Sequence, residues 1–248
     1  MGKLIPMKQK NATMMSALER LQPQLQRALP KGMEAERLNR IVATEVRKNP
    51  KLLDCTPASF FGAVMTSAQL GLEPGSHLGQ SWVLPYGKTA QLILGYRGLL
   101  SLAYRSGMVK AVSAELVFEA DVFTFEKGST PKIHHVPERG NVRGEIVAAY
   151  AIIQLVTGGQ LWDVMERWEL DEHRSRYSKA SKGGPWDTHY GEMARKTVLR
   201  RALKLAPASV EQTDMGRAIV LDEKADAGVP QELEVEGELV EGDDDSAS

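Results

Sequence analysis

Cations recur at helical spacing in the segment 185–207, PWDTHYGEMARKTVLRRALKLAP. At about 100° per residue, Lys196, Arg200 and Lys204 lie within roughly 80° of one another around a helix. Apolar residues lie roughly opposite, so the segment predicts one helix with a packing face and a strip of cations. Three cations at this spacing repel one another unless a negative group lies over them. The strip therefore indicates a site for a polyanion, with a solvated helix face as the alternative.

A second basic and aromatic sequence lies at 95–98, GYRG, where a predicted strand meets a predicted helix. Glycine allows close approach of a ligand to the backbone, and a helix start offers amides to a phosphate. Tyr96 is suited to stack on a base, and Arg97 to bind a phosphate. The alternative is a tight turn with a core tyrosine and a structural ion pair.

Charge is segregated along the chain. The 248 residues have a formal net charge of −1, yet residues 1–221 hold 30 bases and 21 acids, a net of +9. Residues 222–248 hold eleven acids and one base, a net of −10. A basic body with an acidic tail is typical of proteins that bind nucleic acid or another polyanion. Cys55 is the single cysteine, which excludes an intrachain disulfide and favours a reducing cytoplasm.

A third patch combines Trp186 with Lys179 and Lys182, and its alternative is a tryptophan that anchors the loop in the core. Together with the basic body, the patches favour single-stranded nucleic acid. No apolar run reaches the length of a membrane span. The candidate DNA-contact residues are Tyr96, Arg97, Arg105, Lys179, Lys182, Trp186, Lys196, Arg200, Arg201 and Lys204.

Covalent chemistry, nucleotide binding and metal binding find little support in the sequence. The segment 87–89, GKT, is like the end of a P-loop, but Trp82 stands where that motif needs a glycine. His134 and His135 are adjacent on a predicted strand and point to opposite faces, so we expect exposed hairpin residues rather than a metal site. Asp187 is expected to cap the last helix. We predict no catalytic residue, no metal and no cofactor.

The order of predicted elements is helices, then a mostly antiparallel β-sheet, then helices that pack on it, which is an α+β fold. We expect a flexible N-terminus over 1–12, a DNA-binding and oligomerisation domain over 13–221, and a disordered acidic tail over 222–248. The predicted helices cover about 13–29, 34–48, 57–71, 98–105, 169–177 and 185–207. The predicted strands cover 81–86, 90–95, 109–119, 122–126, 132–136, 145–156 and 161–166.

Four segments, in this order, resemble the RecT family of phage and prophage single-strand annealing recombinases. They are 35–50, 67–87, 91–107 and 183–207. The resemblance implies a Rad52-like annealing-protein core, with a β-sheet and a long helix that line a DNA groove. It implies a protein without enzymatic catalysis that binds single-stranded DNA, anneals complementary strands to duplex DNA and promotes strand exchange without ATP.

The resemblance further implies a homo-oligomer, as a ring or helical filament, in the cytoplasm of a bacterial host. The implied partners are the host single-stranded DNA-binding protein and a 5′-to-3′ exonuclease. Two other functions stay open: a metal-dependent nuclease, although no acidic cluster has convincing ligand spacing, and a protective coat for single strands. Phe123 and Phe125, in the hairpin predicted at 122–136, are candidates to wedge between bases or to contact the next subunit.

Overall fold

The computed structural model describes residues 7–28, 34–75, 77–177, 184–206, 213–231 and 233. The chain divides into two compact units, which are described separately: Met1–Ile93 with Pro230–Ser248, and Leu94–Val229. None of the helices in the described ranges is long and apolar enough to cross a membrane.

The first unit is mainly helical. Its core is centred on the third helix, in which Phe60 and Phe61 are buried. Thr56 caps this helix by accepting a hydrogen bond from the backbone N–H three residues on, and Pro57 occupies the first helical position. The elements are α1 (Met7–Ala28), α2 (Ala35–Lys48), a 3₁₀ helix (Pro50–Asp54), α3 (Pro57–Gln69), β1 (Ser81–Tyr86) and β2 (Thr89–Leu94).

The second unit contains both α-helices and antiparallel β-strands. Its first half contains α4 (Tyr96–Arg105), β3 (Val109–Phe118), β4 (Val122–Glu126), β5 (Lys132–Val136) and β6 (Ile146–Leu155). Its second half contains β7 (Gln160–Glu166), α5 (Arg167–Tyr177), α6 (Pro185–Thr188), α7 (Tyr190–Leu203) and α8 (Thr213–Asp226).

A three-stranded antiparallel sheet in the order β3–β6–β7 is the frame of this unit. β6 is central and its residues 148–151 are buried in succession, as expected for a strand covered on both faces. On one face lies α7, where Gly191 allows close approach: a Cβ there would meet Leu116 at 2.7 Å. On the other lies the β4–β5 hairpin, because Phe123 and Phe125 pack against Ala148 and its neighbours.

The structure confirms the α+β class and most predicted elements, and it corrects two helix boundaries and one helix cap. Residues 7–12 lie in α1, so the first helix begins earlier than the start predicted near residue 13. The helix predicted over 185–207 is broken at His189, whose φ of −141° and ψ of 48° lie outside the helical region. Asp187 lies inside α6 and pairs with Arg174, so it is not a helix cap.

The prediction of disorder from 222 onward is also wrong for residues 222–226, which form the end of α8. The acidic composition predicts disorder because acidic side chains are usually solvated, whereas Asp222 is fully buried next to cations. The remaining acidic tail, at 232 and 234–248, lies outside the described residues.

Candidate nucleic-acid interface

The predicted cation strip of α7 faces the interior of the second unit. Lys196 is 6% exposed and Arg200 is 2% exposed. The Lys196 Nζ donates to Asp222 Oδ1 at 2.8 Å, and the Arg200 Nη1 donates to Asp222 Oδ2 at 2.6 Å. The Arg200 Nη1 also donates to Asp226 Oδ2 at 2.6 Å. The negative group over the strip is therefore α8 of the same chain.

Asp222 is the centre of this buried cluster. Its Oδ1 also accepts the backbone N–H of Leu94 at 3.0 Å. Burial opposes ionisation of Asp222, but the charges of Lys196 and Arg200 outweigh burial and lower its pKa. Burial likewise opposes the charge of Arg200, and the two carboxylates of α8 raise its pKa above the usual value. The cluster therefore pairs two cations of α7 with two carboxylates of α8.

The other two candidate cations of α7 also have carboxylate partners. Arg201 pairs with Asp163 and with Glu169, and its Nη2 donates to a backbone carbonyl of β7 at 2.9 Å. Lys204, at the end of α7, is exposed and pairs with the partly exposed Glu223 of α8. Each α7 cation that the sequence proposed for DNA is therefore paired with a carboxylate of the same chain. Of these cations, only Lys204 is exposed.

Trp186 packs as an anchor. Its ring is buried and stands edge-on to Tyr190, with ring centroids 5.4 Å apart, and tilted against His173 at 6.2 Å. The structure thus places Trp186 in the arrangement that we gave as the alternative to base stacking. Lys179 and Lys182 lie outside the described residues.

The outer face of α4 differs from α7. Arg97, Tyr104 and Arg105 lie within about 100° around this helix, and all three are exposed, Tyr104 to 48%. The Tyr104 hydroxyl accepts the backbone N–H of Val112 at 3.2 Å, and the Arg105 Nε donates to the Ser101 carbonyl at 3.4 Å. We call Arg97, Tyr104 and Arg105 the α4 face. It presents two guanidinium groups and a positioned aromatic ring to solvent.

Tyr96 begins α4 but is half-buried, unlike the α4 face. Burial raises the pKa of its hydroxyl, which the nearby Arg195 partly opposes. Tyr104 is the more exposed tyrosine, and sequence reasoning missed it. The signal was available, because Tyr104 follows Arg97 by seven residues, or two helical turns.

The aromatic residues of the β4–β5 hairpin pack against the β3–β6–β7 sheet. Phe123 stacks on Tyr150, with centroids 5.7 Å apart, and Phe125 packs on the same cluster. The expected exposure of His134 is confirmed. The side chain of His135 is only 7% exposed and bonds to Asp121 and Tyr150, each at 3.1 Å, so its expected exposure is wrong. The periodicity of the strand hid this, since a histidine fits either face.

Asp121 holds the base of the hairpin in place. Its side chain is fully buried, and Arg143 donates to both carboxylate oxygens, at 3.0 and 2.5 Å. These hydrogen bonds hold the pKa of Asp121 well below its usual range despite burial. Within the described part of the chain, no three His, Cys, Asp or Glu residues are grouped to hold a metal ion.

Comparison with known proteins gives one family. The model of the RecT family matches residues 36–236. Protein RecT of Escherichia coli (strain K12) is 42% identical over 233 residues, which cover 90% of this chain and 85% of that protein. The uncharacterized protein YqaK of Bacillus subtilis (strain 168) is 25% identical over 239 residues, covering 91% of this chain and 81% of that protein.

Proposed function

From the premise that the chain belongs to the RecT family, we propose that it binds single-stranded DNA and anneals complementary strands in phage-type recombination. Annealing and strand exchange proceed without ATP or covalent catalysis. Base pairing supplies the driving force, and the protein reduces the repulsion between the two phosphate backbones while base edges stay free.

The observation that carries the assignment of the DNA contacts is the exposed α4 face. In the same unit, Lys196 and Arg200 of α7 are buried, whereas Arg97 and Arg105 are exposed on α4 beside Tyr104. Guanidinium groups bind phosphates, and a tyrosine ring stacks on bases. We assign the phosphate contacts to the two arginines and a base contact to Tyr104.

We further propose that the chain has a Rad52-like core, forms a homo-oligomeric ring or filament, and acts in the bacterial cytoplasm. Its proposed partners include an exonuclease and a host single-stranded DNA-binding protein. Lys196, Arg200 and Arg201 are assigned a structural role instead of a direct DNA contact, because their carboxylate partners already neutralise them.

The test is Arg97→Ala combined with Arg105→Ala. We expect weaker binding of a single-stranded oligonucleotide and slower annealing of labelled complementary strands without ATP. The slope of log affinity against log salt should fall by about 1.4, since each phosphate contact contributes roughly 0.7 for single strands. The urea midpoint should stay unchanged, because the apolar side of α4 is untouched. Arg176→Ala, an exposed arginine of α5, is the matched control.

Two results would count against the proposal in different ways. Wild-type affinity and salt slope in the double variant would remove the α4 face from the DNA site. A wild-type protein that fails to accelerate annealing would contradict the function itself: slowed annealing would indicate a protective coat, and strands shortened in the presence of magnesium would indicate a nuclease.

A further inference from the structure

One face of β1 presents large side chains to solvent. Alternate residues of a strand point to the same side, and Trp82, Leu84 and Tyr86 are 39%, 38% and 38% exposed. Ser81 and Val83, which alternate with them, are buried. We call Trp82, Leu84 and Tyr86 the β1 strip. The two aromatic rings in this row provide flat, partly apolar surface that a planar ligand can cover.

The ring of Trp82 lies close to the loop before β1. Gly79 has a φ of 62°, in the left-handed region, and a Cβ built on it would lie 3.7 and 3.8 Å from Cζ2 and Cη2 of Trp82. The benzene edge of the indole therefore rests near the backbone of this loop.

A second copy of the chain is a poor occupant for the β1 strip. Side chains of this size bury 150–250 Å² each, so three that are partly exposed offer on the order of 250 Å². A stable protein interface needs roughly 800 Å² per partner. Pro85, within β1, has no N–H to donate, which weakens this edge for pairing with another strand.

Cations outnumber acids in the stretch of sequence that contains β1. Residues 1–93 hold 12 bases and 6 acids, a net of +6, and the residues that complete the first unit, 230–248, hold eight acids and no base. Lys88 lies in the turn two residues after Tyr86 and is exposed. The 3₁₀ helix that contacts β1 carries one exposed cation and one exposed acid, Lys51 and Asp54.

We propose that the β1 strip is a base-stacking platform for single-stranded DNA, an inference that rests on the proposed function. Indole and phenol rings stack on bases of any sequence, as an annealing protein requires, and Leu84 adds apolar contact between them. Lys88 is placed in sequence to neutralise a phosphate next to a base stacked on Tyr86.

The experiment compares the full-length wild type with Trp82→Ala and Trp82→Phe. Each is titrated with a short oligothymidylate and with an abasic strand of equal length. We expect Trp82→Ala to bind oligothymidylate roughly tenfold more weakly and the abasic strand as the wild type does. The salt slope should not change, because no phosphate contact is lost. Trp82→Phe keeps a stacking ring and should keep most of the preference for bases.

The matched control is Trp168→Ala, since Trp168 is an exposed tryptophan of α5 in the other unit and should leave the preference unchanged. A Trp82→Ala protein that keeps the wild-type preference for bases overturns the platform. If light scattering shows a smaller assembly for Trp82→Ala while its preference for bases is unchanged, the platform is overturned in favour of a contact between copies of the chain. A wild type that binds neither strand contradicts the proposed function, and the platform falls with it.

Discussion

The cations of α7 and those of the α4 face lie in the same unit and are similar in type, but their surroundings are opposite. Lys196 and Arg200 are buried, and both donate to Asp222, which lies 26 and 22 residues further along the chain. Arg97 and Arg105 are exposed on a helix whose other side packs. A cationic strip at helical spacing is therefore not sufficient to locate a DNA site, because a distant carboxylate decides whether the charge is available.

The largest expected effect is on the free energy of unfolding, and it distinguishes the buried α7 cations from the α4 face. Asp222→Asn leaves Lys196 and Arg200 buried with only part of their countercharge, and breaking a buried ion pair typically costs about 3–5 kcal/mol. Urea unfolding should show this loss, with Asp214→Asn, an exposed acid in the first turn of α8, as the matched control.

The contrary result for Asp222→Asn is equally informative. A variant that keeps its stability and binds single-stranded DNA more tightly than the wild type would mean that the α7 strip is available to phosphates. The difference between α7 and the α4 face would then disappear, because both helices would present cations to DNA.

A smaller effect, in pH dependence, belongs to the buried region alone. Burial, followed by the charge of Arg200, lowers the pKa of His173 to about 4 from an ordinary 6.5. The unfolded chain therefore takes up this proton first, so stability is complete above about pH 6.5 and falls as the pH drops towards 4. His173→Gln keeps an acceptor for the Arg200 Nη2, which lies 3.2 Å from the His173 Nε2, and should flatten this part of the curve.

Measurement of the free energy of unfolding between pH 4 and 7 checks this prediction. His134→Gln, on the exposed face of β5, is the control and should follow the wild type. If His173→Gln loses stability with the same slope as the wild type, other groups of the cluster carry the pH dependence and the surroundings of His173 are not as described.

Local patterns were enough to predict much of the fold. The Thr56-Pro57 start of α3, the β4–β5 hairpin around its glycine turn, and the doubly covered β6 each follow from neighbouring residues. The break at His189 did not follow, because the helical periodicity continues through it. Nothing within the segment marks the place where two helices meet.

The candidate site was less predictable, for a physical reason. Whether an arginine is buried depends on a partner that periodicity does not reveal. The acids that follow Asp222 in sequence predict a solvated tail, yet Asp222 is buried and pairs with Lys196 of α7. Tyr104 and Trp82 were missed although their spacing was informative, since an exposed aromatic residue and a core aromatic residue share the same pattern in sequence.

The smallest expected effect concerns Lys204, which lies between the two environments. Lys204 is exposed, and its partner Glu223 is partly exposed, so Lys204→Ala should change stability by no more than about 1 kcal/mol. Because Glu223 already neutralises it, the salt slope of DNA binding should fall by clearly less than the roughly 0.7 of a full phosphate contact. Glu223→Gln is the matched variant and should raise DNA affinity slightly by releasing Lys204. If the salt slope of Lys204→Ala falls by the full value of roughly 0.7, DNA displaces Glu223 from Lys204. The end of α7 would then belong with the α4 face and not with the buried cluster.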